Sequence, residues 1–369
     1  MKRWIVVTAT TAYFLLVVGI FGWLWLTHKN PTLTLATWPG PYSHAQTAAL
    51  LLPFADRSGT NARIAEYDGG VVDLARQVRT RKFDWDVVDL ELPDAVSACA
   101  QGLLEPINAA SLPAGPDGTP AARDFVANAI GPCWVGSVVY SQVIAFDPHR
   151  FTGAQPSTLA DFFDLAKYPG PRVLRRSSGK LNLEMALLAD GVAPADVYAT
   201  LSTPQGVARA LAKLDTIKGV LVWSSAGDPP AAMLAGGRAA FATILNGDIF
   251  DAATHGDKLG VIWDRQLTEL DVFGIPKGDP KRALAMDFIR FATQARNLAG
   301  VASWVPYGPA RASALPHVTD NPDLKIAMTP FEPTTPSHFA TAFSVDDRWW
   351  QMHGGDVEMR WQMWLATVK

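Results

Sequence analysis

From residue 33 to residue 291, short apolar or β-branched runs alternate with segments of helical period, and this alternation restricts the chain to parallel sheets covered on both faces by helices. The first unit predicts strands at 33–37, 62–67 and 86–90, with helices at 45–56 and 71–82. In the second helix Leu74, Ala75 and Val78 share one face while Arg76, Arg79 and Lys82 face water. A turn-rich stretch at 109–123, holding Pro113, Gly115, Pro116, Gly118 and Pro120, precedes an apolar run at 135–146 that predicts a crossing out of this unit. A second α/β unit follows, with strands near 172–174, 220–223 and 239–243. Thr203 caps one of its helices, Pro204 opens it, and Val207, Leu211 and Leu214 follow at helical spacing. The run at 270–275 predicts a return crossing, and Asp279-Pro280 the capped start of a helix with Leu284, Phe288 and Phe291 as its apolar stripe. A chain that leaves one lobe, builds another and returns has two linkers side by side, which is the geometry of a hinge. The expected division is 31–141 with 268–320 for the first lobe and 142–267 for the second. A C-terminal helical segment at 321–369 packs on the lobes, its stripe of Trp349, Trp350, Trp361 and Trp364 in the core.

At 369 residues the chain exceeds one ordinary core and suits two lobes of roughly 100 to 200 residues each. The first 30 positions hold three basic residues and no acidic ones, so the remainder carries 29 basic against 35 acidic side chains. A mildly acidic body without a basic stripe excludes nucleic acid as a partner. Lys2 and Arg3 precede an uncharged, mostly apolar run at 4–26. This is an export signal, and its positive flank stays in the cytoplasm, leaving residues after about 30 outside. The run is longer than the roughly 7 to 15 residues of a signal-peptide core. It ends Gly22-Trp-Leu-Trp-Leu26 without a small-x-small cleavage site, which favours an uncleaved anchor at 1–30 over a removed signal peptide. The expected location is the periplasm, tethered to the inner membrane if the segment is retained. In that oxidising compartment the chain's two cysteines, Cys99 and Cys133, are expected to pair, the alternative being two unrelated buried thiols. Two distant cysteines and seven scattered histidines offer no metal set, and no cofactor is expected.

The sequence lacks a Gly-x-Ser-x-Gly elbow, a phosphate loop, a dinucleotide glycine fingerprint and a His-Glu-x-x-His pair, which argues against an enzyme. His44 reads either as a general base or as a capping residue. Arg175-Arg-Ser-Ser-Gly-Lys180 reads either as an anion nest or as a helix cap with solvated charge. In place of catalytic groups, aromatic and polar residues gather at predicted strand ends, where open α/β sheets bind ligands. Trp38 to Tyr42 follow the first strand and Glu91 the third. Trp223-Ser-Ser225 and Asn246-Gly-Asp248 follow strands of the second unit, and Glu269 and Asp271 sit at the return crossing.

Several passages carry a resemblance. They are Trp38 to Tyr42, Trp85-Asp-Val-Val-Asp-Leu-Glu91, Gly136-Ser-Val-Val-Tyr-Ser141, Pro156-Ser-Thr-Leu-Ala-Asp-Phe-Phe163, Ala186-Leu-Leu-Ala-Asp-Gly191, Asn246-Gly247, Ile275-Pro-Lys-Gly278 and Pro306-Tyr-Gly-Pro309. As a set they resemble the periplasmic substrate-binding proteins of ABC transporters, in the spermidine/putrescine-like branch, over nearly everything after residue 31. The resemblance implies a type II periplasmic-binding-protein fold, in which two α/β lobes joined by a two-strand hinge close on a ligand cleft. It implies a monomeric receptor that hands a small amine-containing, polyamine-like solute to permease subunits. The alternatives are a membrane-anchored ligand sensor and an enzyme on the same two-lobe fold. Carried over by position, Trp38 and Tyr42 match an aromatic pair, Asp271 an amine-binding aspartate and Tyr307 a pocket tyrosine. Glu91, Ser178, Trp223 and Asn246 complete the expected ligand-binding set. The chain departs from polyamine binders at Ser224-Ser225, at Leu245 and at 178–184, where acidic residues are expected. Lys180 or Arg176, if turned inward, would favour a ligand with a negative end, such as an amino-acid-like zwitterion.

Overall fold

The computed structural model describes residues 30–225 and 227–368. The apolar run at 4–26 lies outside them, and among the described residues no helix is long and apolar enough to cross a membrane. The strands are β1 (Thr32–Thr37), β2 (Asn61–Glu66), β3 (Val87–Glu91), β4 (Val135–Phe146), β5 (Arg172–Leu174), β6 (Leu221–Trp223), β7 (Phe241–Leu245), β8 (Gly260–Gly274), β9 (Gly308–Pro309) and β10 (Phe343–Ser344). Hydrogen bonding runs in the order β2-β1-β3-β8-β4-β7-β5-β6, with β10 on β8 and β9 on β4. Within each lobe the short strands pair parallel: β1 with β2 and β3, and β5 with β6 and β7. Strands β4 and β8, far longer than these, pair antiparallel with each other and carry the sheet from one lobe into the next.

Although the ladder is continuous, the core is not. One apolar cluster joins Leu33, Leu35, Val87, Val138, Phe273 and Phe288. A second joins Phe162, Leu174, Leu187, Phe241 and Trp361, while a third, around Val173 and Ile244, covers the other face of the second sheet. Covering parallel strands on both faces is what their apolar composition requires. The helices that position the cleft are α1 (Pro41–Gln46), α2 (Leu52–Ser58), α3 (Val72–Thr80), α4 (Leu92–Ala100), α5 (Asn182–Ala189), α6 (Pro204–Asp215), α7 (Asn246–Thr254), α8 (Arg282–Ala292), α9 (Ala295–Trp304) and α10 (Asp347–Leu365).

Most expected elements are present, with instructive shifts. The return crossing starts at Gly260, ten residues earlier than its apolar pattern predicts, because Asp264, Arg265 and Gln266 interrupt that pattern. Gln266 is buried there with its amide nitrogen satisfied, donating to the carbonyls of Pro333 and His338 at 2.8 and 2.9 Å, while its Oε1 has no partner. The first helix begins at Pro41, not at 45. Gly40, with φ of 87°, makes the turn, and Pro41 opens α1, which runs through a π turn at Thr47–Leu51 into α2. Thr203 caps α6 by accepting from the Gly206 N–H at 3.0 Å. Asp279 does not cap α8. It accepts from the Lys281 N–H in a preceding turn, and the helix starts at Arg282. Residues 321–344 are largely irregular, and the C-terminal helix α10 begins only where Asp346 accepts from the Trp349 N–H.

Cys99, at the end of α4, is bonded to Cys133, with 5.8 Å between their Cα atoms and 34 residues of separation. The bond ties α4 to the loop that enters β4, inside the first lobe. Replacing both cysteines by serine should lower stability by about 3–4 kcal/mol on the chain-entropy argument. Urea unfolding of the non-reduced protein and of the C99S/C133S variant measures this, and equal midpoints would refute it.

Candidate functional site

A cavity of about 610 Å³ opens where the strand ends of the first lobe face the start of α7 in the second. Asp271 of β8 forms its floor. Trp38, Tyr42, Tyr140 and Tyr307 stand around it, and α7 closes it with Gly247, Asp248, Phe250 and Asp251. Each aromatic wall has an identifiable support. Trp38 follows β1 directly and stacks on Tyr67, with ring centroids 5.6 Å apart. Its six-membered ring abuts Gly69, where a Cβ would stand 2.1 Å from Cη2. Tyr42, on the first turn of α1, meets Tyr307 edge-on at 5.6 Å. Tyr307 in turn approaches the backbone at Gly247, where a Cβ would come within 3.2 Å of the ring.

The electrostatics follow from strand register. Antiparallel pairing of β3 with β8 sets Glu91 opposite Asp271 and Asp89 opposite Phe273. Side chains alternate faces with period two, so Asp89 and Glu91 on one strand and Asp271 and Glu269 on its neighbour share one face. Asp271 is buried, and its Oδ1 has no hydrogen-bond partner. Burial holds its carboxyl well above the usual carboxylate range, and Asp89, Glu91 and Glu269 add to the effect. Asp89, one layer below the cavity, is pushed up to about 7 by burial, against hydrogen bonds from Tyr42, Gln46 and Ser137 that pull it down. Burial also raises Glu91, helped by Glu269 and opposed by Lys180. Among the described residues no lysine or arginine lines the cavity, and no group of three His, Cys, Asp or Glu is placed to hold a metal ion.

Of the expected ligand-binding residues, Trp38, Tyr42, Glu91, Asp271 and Tyr307 meet around this cavity. Ser178, Trp223 and Asn246 are not among its lining residues. Asn246 spends its side chain on backbone, accepting from the Ser141 N–H at 2.9 Å and donating to the carbonyls of Pro306 and Phe331. It thereby pins the end of β7 to β4 and to the segment bearing Tyr307. Ser178 donates to Glu358 of α10 at 3.0 Å, and the Gly179 N–H donates to the same oxygen at 2.9 Å. The anion nest therefore exists, and a carboxylate of this chain fills it. Lys180 is held by Glu269 at 2.6 Å and Asp347 at 2.8 Å, so its charge is already matched. Arg176 lies over the Trp223 ring, 5.1 Å from its centroid. Arg176 lies two residues past the end of β5, is exposed, and is not among the residues that line the cavity. His44 is exposed and packs edge-on against Trp304.

Tyr140, Trp304, Phe250 and Asp251 also line the cavity and were not singled out from sequence. Tyr140 had a usable signal. It pairs with Glu269 across β4 and β8 and so shares a face with the acidic residues of the return crossing. Trp304 comes from the end of α9 and Phe250 and Asp251 from the middle of α7, helices whose approach no local pattern encodes.

A family model described as bacterial extracellular solute-binding protein matches residues 58–326. The gamma-aminobutyric acid-binding protein of Pseudomonas aeruginosa is 35% identical over 338 residues, covering 92% of each chain. Among solved structures, an ABC transporter substrate-binding protein of Bradyrhizobium japonicum is 28% identical with a TM-score of 0.75, over 91% of this chain and 99% of its own. A GABA receptor is 29% identical with a TM-score of 0.72, over 90% and 97%.

The site should cost stability near neutral pH. A carboxyl whose folded value is raised keeps its proton where the unfolded chain has lost it, so its stabilising share is complete below about pH 4 and disappears as pH rises through the folded value. Asp89 and Asp271 act in this sense, as does Glu184, pushed up to about 7 by burial. The melting temperature of ligand-free protein should therefore fall between about pH 5 and 7.5, and Asp271→Asn should flatten the slope. A melting temperature that climbs across this range, unchanged by the substitution, would contradict it.

Proposed function

The chain belongs to the bacterial extracellular solute-binding protein family, and from this premise we propose that the solute it captures for its ABC importer carries an ammonium group. One observation carries the reading: a buried carboxyl, Asp271, with an unpartnered oxygen at the floor of an aromatic cavity lined, among the described residues, by no lysine or arginine. An ammonium over desolvated aromatic faces gains about 0.5–2 kcal/mol, and a charge-assisted bond to a carboxylate adds to it. Glu91, Asp248 and Asp251 extend the negative wall and would draw cations into the cleft.

The far end of the ligand distinguishes two members of this class. A diamine would place its second ammonium toward Asp248 and Asp251. A γ-amino acid would need a cation; the 35% identity to a gamma-aminobutyric acid-binding protein favours this second reading, and Arg176, which stacks on Trp223 in the second lobe, is the candidate cation. On closure Arg176 would meet the carboxylate from the second lobe.

In this account the lobes comprise 31–141 with 268–320, and 142–267, with α10 fastened mainly to the second. The supports are the separate apolar clusters and the burial of Trp349, Trp361 and Trp364 among second-lobe residues. Ligand bridges the lobes and favours the closed form, which docks on the permease without a covalent step. The disulfide suits a periplasmic setting. Whether the chain is also tethered to the membrane rests on residues 1–29, outside those described.

Calorimetry with putrescine, spermidine and γ-aminobutyric acid tests the reading. Asp271→Asn should weaken whichever amine binds by about 1.5–3 kcal/mol, roughly tenfold to 150-fold. Arg176→Ala should weaken γ-aminobutyric acid more than about tenfold while leaving putrescine within about twofold. Unchanged affinity in D271N removes Asp271 from the site, and an unaffected γ-amino acid in R176A removes the second reading.

A further inference from the structure

We propose that Asp89 and Asp271 hold one proton between them in the ligand-free receptor, with Asp89 ionised and Asp271 protonated, and that an arriving ammonium takes the place of that proton. Asp89 is then a positioning residue, acting on the ligand through Tyr42 and Asp271 without touching the cavity. The inference rests on the amine reading above and deepens it.

The donor inventory makes the assignment. Asp89 Oδ2 accepts from the Tyr42 hydroxyl at 2.8 Å and the Gln46 amide at 2.5 Å, and its Oδ1 accepts from the Ser137 hydroxyl at 3.1 Å. Three donors converging on one carboxylate stabilise its charged form. Asp271 Oδ1 has none. The two side chains are diagonal neighbours on one face of adjacent strands, both enclosed, where two like charges repel strongly. The other titratable groups facing them give little relief. Tyr42 and Tyr67 flank Asp89, while Glu269 of the same strand, Glu91 of β3, Tyr140 of β4 and Tyr307 before β9 surround Asp271. Lys180, the cation beside Glu91 and Glu269, is already shared between Glu269 and Asp347. The empty site therefore holds one negative charge on this pair. When R–NH3+ reaches Asp271, the carboxylic proton leaves to solvent through the open cavity and the carboxylate pairs with the ammonium, so charge and protons balance.

Asp89 also fixes geometry. Its carboxylate orients Tyr42, and its backbone carbonyl accepts from the hydroxyl of Tyr67, the ring on which Trp38 stacks. Two of the aromatic walls, Trp38 and Tyr42, are thus referred to this one residue.

The test has a ligand-free arm and a ligand arm. Carboxyl carbon NMR of protein labelled at aspartate, without ligand, should show one resonance pair titrating near neutral pH that disappears in Asp89→Asn and in Asp271→Asn. Absence of any such titration in the unsubstituted protein overturns the proposal, so a variant that fails to fold does not leave it open. In the ligand arm, calorimetry with putrescine and with γ-aminobutyric acid in buffers of different ionisation enthalpy should show release of about one proton per ligand. Affinity should rise about tenfold between about pH 6 and 7. Asp89→Asn should flatten that rise to less than about twofold, whereas a purely structural defect would weaken binding equally at every pH and leave the slope. Tyr42→Phe should keep the slope, since it retains both carboxyls. Binding without proton release overturns the proposal. If the ligand-free titration is found but neither amine binds, proton sharing stands and the amine reading falls.

Discussion

The antiparallel pairing of β4 with β8 is the constraint on which everything else depends. These two strands are the part of the sheet common to both lobes, and the ladder between them is the reason two separate cores remain one molecule. Their central residues are unusually polar for buried strands: Ser137, Ser141 and Gln142 on one, Gln266, Thr268 and Asp271 on the other. Apolar residues there would fuse the cores into one and remove the cleft. Polar residues keep the crossing thin; Gln266 Nε2 and the Thr268 hydroxyl donate to the 333–343 segment, while Ser141 Oγ, Gln142 Nε2, Gln266 Oε1 and Asp271 Oδ1 are left without partners.

The same ladder creates the site. Because β3 and β8 are neighbours, alternation along each strand accumulates carboxyls on one face, a pattern that opposes stability. Removing a carboxylate from water costs several kcal/mol even after relaxation. A cationic ligand is the natural complement, since it brings the missing charge into a place already surrounded by aromatic faces. On the amine reading proposed above, stability given up in the empty receptor becomes selectivity in the filled one, which accords with polar strain concentrating at functional sites.

The C-terminal helix shows how packing and charge act together. Trp361 is fully buried in the second core, and its Nε1 donates to the Arg176 carbonyl at 3.2 Å. Trp349 and Trp364 donate to Ser202 and Asp215 at 2.8 and 2.9 Å. With the indoles fixed, Glu358 one turn earlier reaches the nest at Ser178 and Gly179. The helix thus orders the loop that presents Arg176, and also Lys180, whose partner Asp347 is the first residue of α10.

Local pattern determined the α/β alternation, the crossing at Val135–Phe146, the disulfide pair and the strand-end placement of Trp38, Tyr42, Glu91 and Asp271, whereas Tyr307 entered through the family resemblance. These were legible because strand ends, period-two burial and helix caps are encoded within a few residues of where they act. Only the tertiary structure decided which groups are free. Ser178 and Lys180 have the chemistry of ligand contacts, yet partners 180 and 167 residues away, Glu358 and Asp347, already occupy them. Asn246 is absorbed in the same manner by Pro306 and Phe331, while Trp304 and Phe250 reach the cavity from helices that sequence places far apart. The β8 strand was hidden over its first ten residues because a buried glutamine looks like a loop until the carbonyls that accept from it are in place. The reason is common to all of these cases: a side chain's availability depends on long-range partners, and long-range pairing is fixed by the fold and not by local sequence.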